Sequence, residues 1–224
     1  MLIHRLPAGQ PVAVARSRCP SCGVALAARD LVPLVSYAVL GGRCRRCGAA
    51  IGRFHFAVEL AAIAVVLAAV AIEPDPGRLW LDCGFGWALL TLGWIDGRHM
   101  LLPDALTLPL IPLGLLATLL RSPEDLTAHA AGAIVGYAAF RGIALAYRAW
   151  RGREGLGRGD AKLLAAAGAW VGLAALPTVI FGGALVSLVL AVLRSRGTGL
   201  RATLAVPFGQ GLCLAAWAVW LLGV

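Results

Sequence analysis

The stretch Gly157-Arg158-Gly159-Asp160-Ala161-Lys162 decides how this sequence folds, because it places an acid where a long apolar run begins. A second acid, Asp96, ends an earlier apolar run in Ile95-Asp96-Gly97-Arg98. Carboxylates at membrane boundaries are costly to remove from water and tend to be retained for a function. Two of them that meet on one side of a membrane predict acid–base chemistry by a pair of aspartates.

The apolar runs around these acids predict an all-α polytopic membrane protein. The chain has 224 residues, of which 60% are hydrophobic and 14% charged, and its mean hydropathy is +0.83. A soluble fold cannot cover that much apolar surface with polar side chains. Because lipid offers no hydrogen-bond partners for backbone N–H and C=O groups, the segments that span the membrane are expected to be helices. We predict about seven transmembrane helices, at 57–72, 79–95, 101–120, 127–148, 161–175, 176–193 and 204–222.

Basic segments alternate with near-neutral ones along the chain, and this alternation predicts the orientation. Arginines in short loops mark the cytosolic side of a membrane protein, so we assign the net charge of +9 to topology and lipid headgroups and expect no nucleic-acid partner. The basic segments are 1–56, 96–100, 148–160 and 194–203, whereas 73–78 and 121–126 each carry one Arg and two acids. Asp96 and Asp160 are therefore predicted to meet at the cytosolic membrane surface, with the C-terminus on the other side.

Each aspartate also has a structural interpretation. Asp160 suits the N-cap of the helix that follows it, and Asp96 could close a helix beside Arg98. Asp104 lies eight residues after Asp96, about 12 Å along a helix axis. A capping role for Asp104 is at least as well supported as a catalytic one.

Residues next to the two acids are candidates for supporting roles. Gly157 and Gly159 would let a peptide backbone approach closely. Lys162 either extends to lipid headgroups or tunes the acid near it. The run Pro207-Phe208-Gly209 breaks the last apolar segment, either as a helix kink or as a wall of the cleft beside the acids.

Four of the six cysteines form two CxxC pairs, Cys19-Pro-Ser-Cys22 and Cys44-Arg-Arg-Cys47, separated by 21 residues. This spacing is typical of a four-thiolate zinc ribbon, in which the metal is structural because no coordination position stays open. Buried free thiols or a redox pair are the alternatives. We predict a zinc-binding cytosolic domain at 1–56 and a transmembrane domain at 57–224. Cys83 and Cys213 lie in apolar runs and are expected in the core.

Other polar and aromatic residues carry weaker signals. Glu59 would lie in the first turn of the first span, where an acid suits the helix dipole. His4, His55, His99 and His129 share no ligand spacing, and His99 is the one that falls near the acids. Four tryptophans near predicted helix ends suggest an aromatic belt: Trp80, Trp94, Trp150 and Trp170.

Taken together, these motifs resemble the type IV prepilin peptidases, a family of membrane aspartyl proteases with a Gly-x-Gly-Asp motif. The resemblance covers nearly the whole chain. The similar stretches are Cys19-Pro-Ser-Cys22, Pro33-Leu-Val-Ser-Tyr37, Gly42-Arg-Cys44-Arg-Arg-Cys47-Gly48, Glu59, Asp96 through Pro103-Asp104, Glu154-Gly-Leu-Gly157-Arg-Gly159-Asp160-Ala-Lys162 and Pro207-Phe208-Gly209.

The resemblance implies a bifunctional enzyme of the bacterial inner membrane. It would cut the basic leader of prepilins or pseudopilins after a glycine on the cytosolic side. It would then methylate the new N-terminus with S-adenosylmethionine. Asp96 and Asp160 match the catalytic aspartates, and the cysteine domain is linked to methylation in this family. Glu59 is a candidate for the methylation half.

The start of the chain departs from the family pattern. A membrane helix usually precedes an Arg-Leu-Pro run in this family, whereas Arg5-Leu6-Pro7 stands here almost at the first residue. We therefore expect an upstream start codon or a truncated chain. Three alternatives remain open: a peptidase without methylation, a transporter that relays protons through its acid pair, and a membrane-anchored zinc scaffold.

Overall fold

A computed structural model describes Ile3, Leu6 and residues 17–153, 155–195 and 207–223. The regular secondary structure of the described part is helical, with two isolated bridges besides, which confirms the predicted all-α class. The chain divides into two compact units, Met1–Ala71 and Ile72–Val224. Some residues used in the sequence analysis lie outside the described residues: His4, Arg5, Pro7, Arg16, Glu154, Arg196 and Arg201.

The described residues include nine helices with defined bounds. The first unit contains a 3-10 helix at Ala28–Leu31, α1 at Val35–Val39 and α2 at Arg53–Ile72, whose final residue opens the second unit. The second unit contains α3 at Pro76–His99, α4 at Asp104–Arg121, a 3-10 helix at Pro123–Asp125, α5 at Leu126–Arg151, α6 at Arg158–Ser195 and α7 at Phe208–Leu222.

Local sequence signals explain where α3 begins and ends. Asp75 is the N-cap residue, and its side chain accepts a hydrogen bond of 3.0 Å from the backbone N–H of Gly77. Pro76 occupies the first helical position, where its missing N–H costs no hydrogen bond. The helix ends at Met100, which adopts a left-handed conformation. Asp96 therefore lies in the last turn of α3.

Within the described residues, four stretches of helix are long and apolar enough to cross a membrane, as expected of an integral membrane protein. They are Arg53–Ile72, Asp104–Arg121, Pro123–Arg151 and Arg158–Ser195. Phe208–Leu222 is a shorter apolar helix. Helix α3, which we predicted as a span at 79–95, contains Asp82 and Asp96 and is not among the four. The total of seven spans stays a prediction.

Helix α6 is two helices joined at Gly172, where the backbone is non-helical with φ 78° and ψ 173°. A straight helix of 38 residues would be about 57 Å long. Asp160 and Arg194, at opposite ends of α6, nevertheless both interact electrostatically with Asp96. The chain therefore reverses at Gly172, which separates a first arm, 158–171, from a second arm, 173–195. We predicted this break after residue 175.

Aromatic rings fill the core of the second unit. Phe85 stacks on Trp170 with ring centroids 4.1 Å apart, and Trp220 meets Trp170 edge-on at 5.1 Å. The indole N–H of Trp170 donates to the carbonyl oxygen of Leu110 at 2.8 Å. The aromatic-belt prediction is therefore wrong for Trp170, which is 3% exposed. The core also contains Cys83 and Cys213, as predicted.

Small residues bring α5 and the first arm of α6 into backbone contact. A Cβ atom at Gly136 would lie 2.9 Å from the carbonyl oxygen of Leu164. A Cβ atom at Gly132 would lie 2.7 Å from the carbonyl oxygen of Gly168. Glycines at such crossings let membrane helices pack at short range. This packing fixes the arm whose first turn carries Asp160.

Candidate active site

Asp96 is held by the N-terminus of α7. Its Oδ2 accepts the backbone N–H of Gln210 at 2.9 Å, and the Gly209 N–H interacts with the same carboxyl group. The first N–H groups of a helix have no partner within the helix and bind anions well. Asp96 is 6% exposed, so these donors offset the cost of burying its charge.

Asp160 lies in the first turn of α6, two residues after Arg158, so the N-cap prediction is wrong for this position. Its carboxyl group interacts with the backbone N–H of Gly157. A Cβ atom at Gly157 would lie 3.0 Å from Asp160 Oδ2. An acid that reaches back to the N–H at the helix start is the second half of a capping box. Asp160 thus supports its own helix and still presents its carboxyl group to Asp96.

The structure brings the two aspartates together from sequence positions that lie 64 residues apart. Asp96 lies close enough to Asp160 for repulsion between their charges. The buried thiol of Cys213 is within electrostatic range of both. Two carboxyl groups that repel one another do not both ionise easily, so one tends to keep a proton. The arrangement can therefore supply one acid and one base.

Leu102 packs between Gly159, next to Asp160, and Gly209 of α7, and it fits there because neither residue has a side chain. A Cβ atom at Gly159 would lie 2.9 Å from Leu102 Cβ. A Cβ atom at Gly209 would lie 3.0 Å from Leu102 Cδ1 and 3.0 Å from the carboxyl carbon of Asp96. We predicted that glycines near Asp160 admit a substrate backbone, whereas Gly159 here makes room for Leu102.

Asp104 and Lys162 form an ion pair. Lys162 Nζ donates to both carboxylate oxygens of Asp104, at 2.7 and 2.6 Å. Asp104 is the first residue of α4, whose N-cap is Pro103, so Asp104 is not the cap that we predicted. The Lys162 side chain turns to Asp104 instead of extending to headgroups. The pair links the start of α4 to the first turn of α6.

Pro207 is the N-cap residue of α7 and is buried. Helix α7 begins at Phe208, which places Gly209 and Gln210 in its first turn. Gly209 lies beside Asp96, since a Cβ atom there would be 3.0 Å from the Asp96 carboxyl carbon. The cleft-wall interpretation of Pro207 and Gly209 stays a prediction. Gln210 and Leu102 were not singled out from the sequence. Both are next to motif residues, but their role depends on packing between distant segments.

The first unit gathers the four CxxC cysteines into one cluster. The sulfur atoms of Cys19, Cys22, Cys44 and Cys47 all lie within 4.8 Å of one another, and those of Cys19 and Cys47 are 3.8 Å apart. A tetrahedral zinc ion with Zn–S bonds of about 2.3 Å requires sulfur atoms about 3.8 Å apart. Backbone N–H groups of Cys22 and Ser21 lower the pKa of the Cys19 thiol to about 6, which favours the thiolate that binds metal.

The two CxxC pairs have the same local backbone. Gly23 donates its N–H to the Cys19 carbonyl oxygen at 2.9 Å, and Gly48 does the same to Cys44 at 2.9 Å. Both glycines have φ 70°, a left-handed conformation that favours glycine. Each pair is thus a tight knuckle that points its sulfur atoms to a common centre.

Glu59 organises the loop before α1. Its Oε2 accepts the backbone N–H of Leu34 at 2.9 Å, and Leu34 has φ 57°, which is unusual for a residue with a side chain. Because α2 begins at Arg53, Glu59 lies beyond the first turn, and the helix-dipole interpretation is wrong. Glu59 instead stabilises a strained backbone conformation.

A second buried acid in the described part of the chain, Asp82, was not predicted from the sequence. It lies 14 residues before Asp96, about 21 Å away along α3. It accepts the indole N–H of Trp220 at 2.8 Å and pairs with Arg121 at 3.9 Å. A cavity of about 610 Å³ lies beside Arg121 and Trp220. Asp82 has polar partners on its own side of the bundle and belongs to a site separate from the aspartate pair.

Comparisons with known proteins agree with this geometry. The type IV leader peptidase family matches residues 83–192, and the bacterial peptidase A24 N-terminal domain matches residues 1–73. A "Prepilin leader peptidase/N-methyltransferase" of Dichelobacter nodosus is 39% identical over 94% of this chain and 72% of its own length. Proteins of the same name from Pseudomonas aeruginosa and Aeromonas salmonicida are 38% and 40% identical, over 92% and 94% of this chain and 71% and 72% of their own lengths. No solved structure matches the chain significantly.

The apolar helices, with two acids brought together at helix ends, define an integral membrane protein. The family matches to residues 1–73 and 83–192 identify the family within this class of membrane proteins. The chain belongs to the type IV leader peptidase family.

Proposed function

We propose that this chain cleaves the basic leader of type IV prepilins or type II secretion pseudopilins after a glycine, and then N-methylates the new N-terminal residue. The observation that carries this proposal is the pairing of Asp96 and Asp160 at one end of the bundle. It is supported by relatives that are named for both activities. Asp96 and Asp160 are the proposed catalytic residues.

The aspartate pair would hydrolyse the peptide bond without a covalent intermediate. The ionised carboxylate takes a proton from a water molecule, whose oxygen attacks the scissile carbonyl carbon. The protonated carboxyl group transfers its proton to the carbonyl oxygen, so that a neutral gem-diol forms. The carboxyl group that took the proton of the water then gives it to the nitrogen of the leaving amine. The other carboxylate takes a proton back from the diol as the C–N bond breaks, which restores the carbonyl group. Leu102, packed against Gly159 and Gly209, would exclude water from that side of the pair.

The methylation half is proposed for the first unit, with S-adenosylmethionine as methyl donor. When bound, this cofactor supplies an electrophilic methyl group to the free N-terminal amine. The four thiolates suit zinc, and four protein ligands leave no position for a reacting water, so the metal would be structural. Glu59 is our candidate residue for methylation, in addition to its hydrogen bond with Leu34.

We place the aspartate pair on the cytosolic side of the bacterial inner membrane. The support is the excess of arginine in 1–56 and in the loop around Arg148, Arg151 and Arg153, against the near-neutral segments 73–78 and 121–126. A leader that stays in the cytosol would reach Asp96 and Asp160 there. A proton-relay transporter is disfavoured, because the paired acids lie at helix ends rather than halfway along the helices.

The proposal is tested by incubating a prepilin with membranes that contain this chain. We expect the substrate to lose its leader with the wild-type chain, and to stay uncut with Asp96→Asn or Asp160→Asn. Asp104→Asn should retain cleavage, since Asp104 pairs with Lys162 and not with the other acids. Full cleavage by both the Asp96 and the Asp160 variants would disprove the aspartate mechanism.

A further inference from the structure

We infer that Arg194 is a positioning residue of the peptidase site, which acts through Gln210 to hold the N-terminus of α7 against Asp96. The guanidinium group of Arg194 donates to Gln210 Oε1 at 2.8 Å. The backbone N–H of Gln210 donates to Asp96 Oδ2 at 2.9 Å. A single residue thus joins the end of α6 to the carboxylate at the end of α3.

The hydrogen bonds at Asp96 need this support because they come from a helix end. The first turn of a helix is its least restrained part, and its N–H groups must be aimed to bind a carboxylate. Gln210 is anchored twice, by its N–H on Asp96 and by its side-chain oxygen on Arg194. Small errors in the position of a catalytic group lower the turnover rate. Loosening Gln210 should therefore affect catalysis more than substrate binding.

Arg194 also acts on Asp96 by charge. It lies close enough to attract the Asp96 carboxylate, and N–H donors favour the same ionised form. Asp160 receives one backbone N–H, from Gly157. Asp96 therefore has more backbone N–H donors than Asp160, and it also has the guanidinium group of Arg194 nearby.

Gly97 provides the space in which the Gln210 side chain lies. A Cβ atom at Gly97 would be 3.0 Å from Gln210 Oε1 and 3.2 Å from its amide carbon. Gly97→Ala would therefore push the oxygen that binds Arg194 without altering either partner. Gly142 is a matched control, since a Cβ atom there meets nothing within 4 Å.

The inference rests on the proposed peptidase function, and a double-mutant cycle tests it through kcat and KM for prepilin cleavage. We expect Arg194→Gln and Gln210→Ala each to lower kcat about tenfold, with KM changed less than about twofold. The double variant should be no slower than the slower single variant, because both remove one linkage. Arg194→Lys should recover most of the activity, and Gly97→Ala should lower kcat about threefold.

The matched control for charge is Arg151→Gln, an exposed arginine at the end of α5. The Arg151→Gln variant should cleave at the wild-type rate. Adding it to Gln210→Ala should leave the kcat of Gln210→Ala unchanged. Equal activities of the Arg194→Gln and Arg151→Gln variants would overturn the inference. A rise in KM with unchanged kcat would also overturn the inference. Multiplicative effects of Arg194→Gln and Gln210→Ala on kcat would overturn it as well.

Hydrogen exchange separates this inference from the proposed function, because it needs no substrate. In Arg194→Gln the amides of residues 208–212 should exchange about tenfold faster than in wild type, while Arg151→Gln leaves them unchanged. Unchanged exchange in Arg194→Gln would overturn the inference even in an active enzyme. Faster exchange in Arg194→Gln, together with a wild-type chain that cuts no prepilin, would refute the proposed function and leave the Arg194 linkage standing.

Discussion

The two units build their sites in opposite ways. The cysteine cluster of the first unit comes from two short knuckles with the same backbone, at Cys19–Cys22 and Cys44–Cys47. The aspartate site of the second unit combines the end of α3, the start of α6 and the start of α7. A knuckle depends on residues within it, whereas the aspartate pair depends on helix packing. The first kind of site should tolerate changes elsewhere in the chain, and the second should not.

The largest effect is expected from the aspartates themselves. Asp96→Asn or Asp160→Asn should lower the cleavage rate by at least about 10³-fold, since each removes the acid or the base. Methylation of the pilin should disappear as well, because no new N-terminus forms. A pre-cleaved pilin supplied to the same variants should still be methylated. Loss of methylation on that pre-cleaved substrate would show that the two units do not act independently.

Loss of one thiolate should separate the two activities in the other direction. Cys22→Ser should lower zinc content and abolish methylation, because three thiolates hold the metal less well and the knuckles depend on it. Cleavage should stay within about twofold of wild type. Zinc is measured by elemental analysis of the purified chain, with Cys83→Ser as control, since Cys83 lies outside the cluster. A Cys22→Ser variant that keeps a full complement of zinc would contradict the ligand assignment.

Added methyl groups at the glycines should show how much the aspartate site depends on packing. Gly209→Ala places a Cβ atom 3.0 Å from the Asp96 carboxyl carbon and should lower kcat about 10²-fold. Gly159→Ala presses on Leu102 Cβ, so adding Leu102→Gly, which removes that atom, should recover part of its loss. Gly142→Ala is the control. The packing explanation fails if Leu102→Gly worsens Gly159→Ala by its full separate effect.

Glu59 offers a test with two substitutions. Glu59→Gln keeps an oxygen that can accept the Leu34 N–H, whereas Glu59→Ala removes it and should destabilise the loop by about 1–3 kcal/mol. If Glu59 serves methylation by its charge, both variants should lose methylation and keep cleavage. Methylation that survives in the Gln variant and fails in the Ala variant would make Glu59 purely structural. Both activities are measured on one prepilin by mass spectrometry.

The smallest effect is expected at the Asp104–Lys162 pair. Its side chains are 55% and 28% exposed, and solvent screens such pairs to about 0.2–1 kcal/mol. Asp104→Asn should therefore lower stability slightly and leave kcat within about threefold of wild type. Thermal unfolding in detergent checks the first expectation, and prepilin cleavage the second. A loss of cleavage comparable to that of Asp96→Asn would place Asp104 in the catalytic machinery.

The contrast between the units also explains what could be predicted from the sequence. The spacing of Cys19, Cys22, Cys44 and Cys47 predicted a cluster, because two CxxC pairs at this separation are typical of a four-thiolate site. The apolar runs predicted an all-helical membrane fold. Asp96 and Asp160 were selected because acids at the ends of apolar runs are costly, although the spacing alone did not distinguish them from helix caps.

Features that depend on packing between distant segments were not predictable. Trp170 fits an aromatic belt by position, but the stacked Phe85 and the Leu110 carbonyl oxygen draw it into the core. The reversal of α6 at Gly172 depends on a backbone conformation that composition does not reveal. The donors to Asp96 come from residues 209 and 210, more than a hundred positions along the chain.

Mass spectrometry of a prepilin incubated with this chain in membranes, with and without S-adenosylmethionine, tests the central claim most directly. We predict loss of the leader in both samples and the mass of one added methyl group on the new N-terminus only where the methyl donor is present. Leader loss without the methyl group would leave a peptidase alone. A prepilin of unchanged mass in both samples would contradict the proposal that Asp96 and Asp160 form a peptidase site.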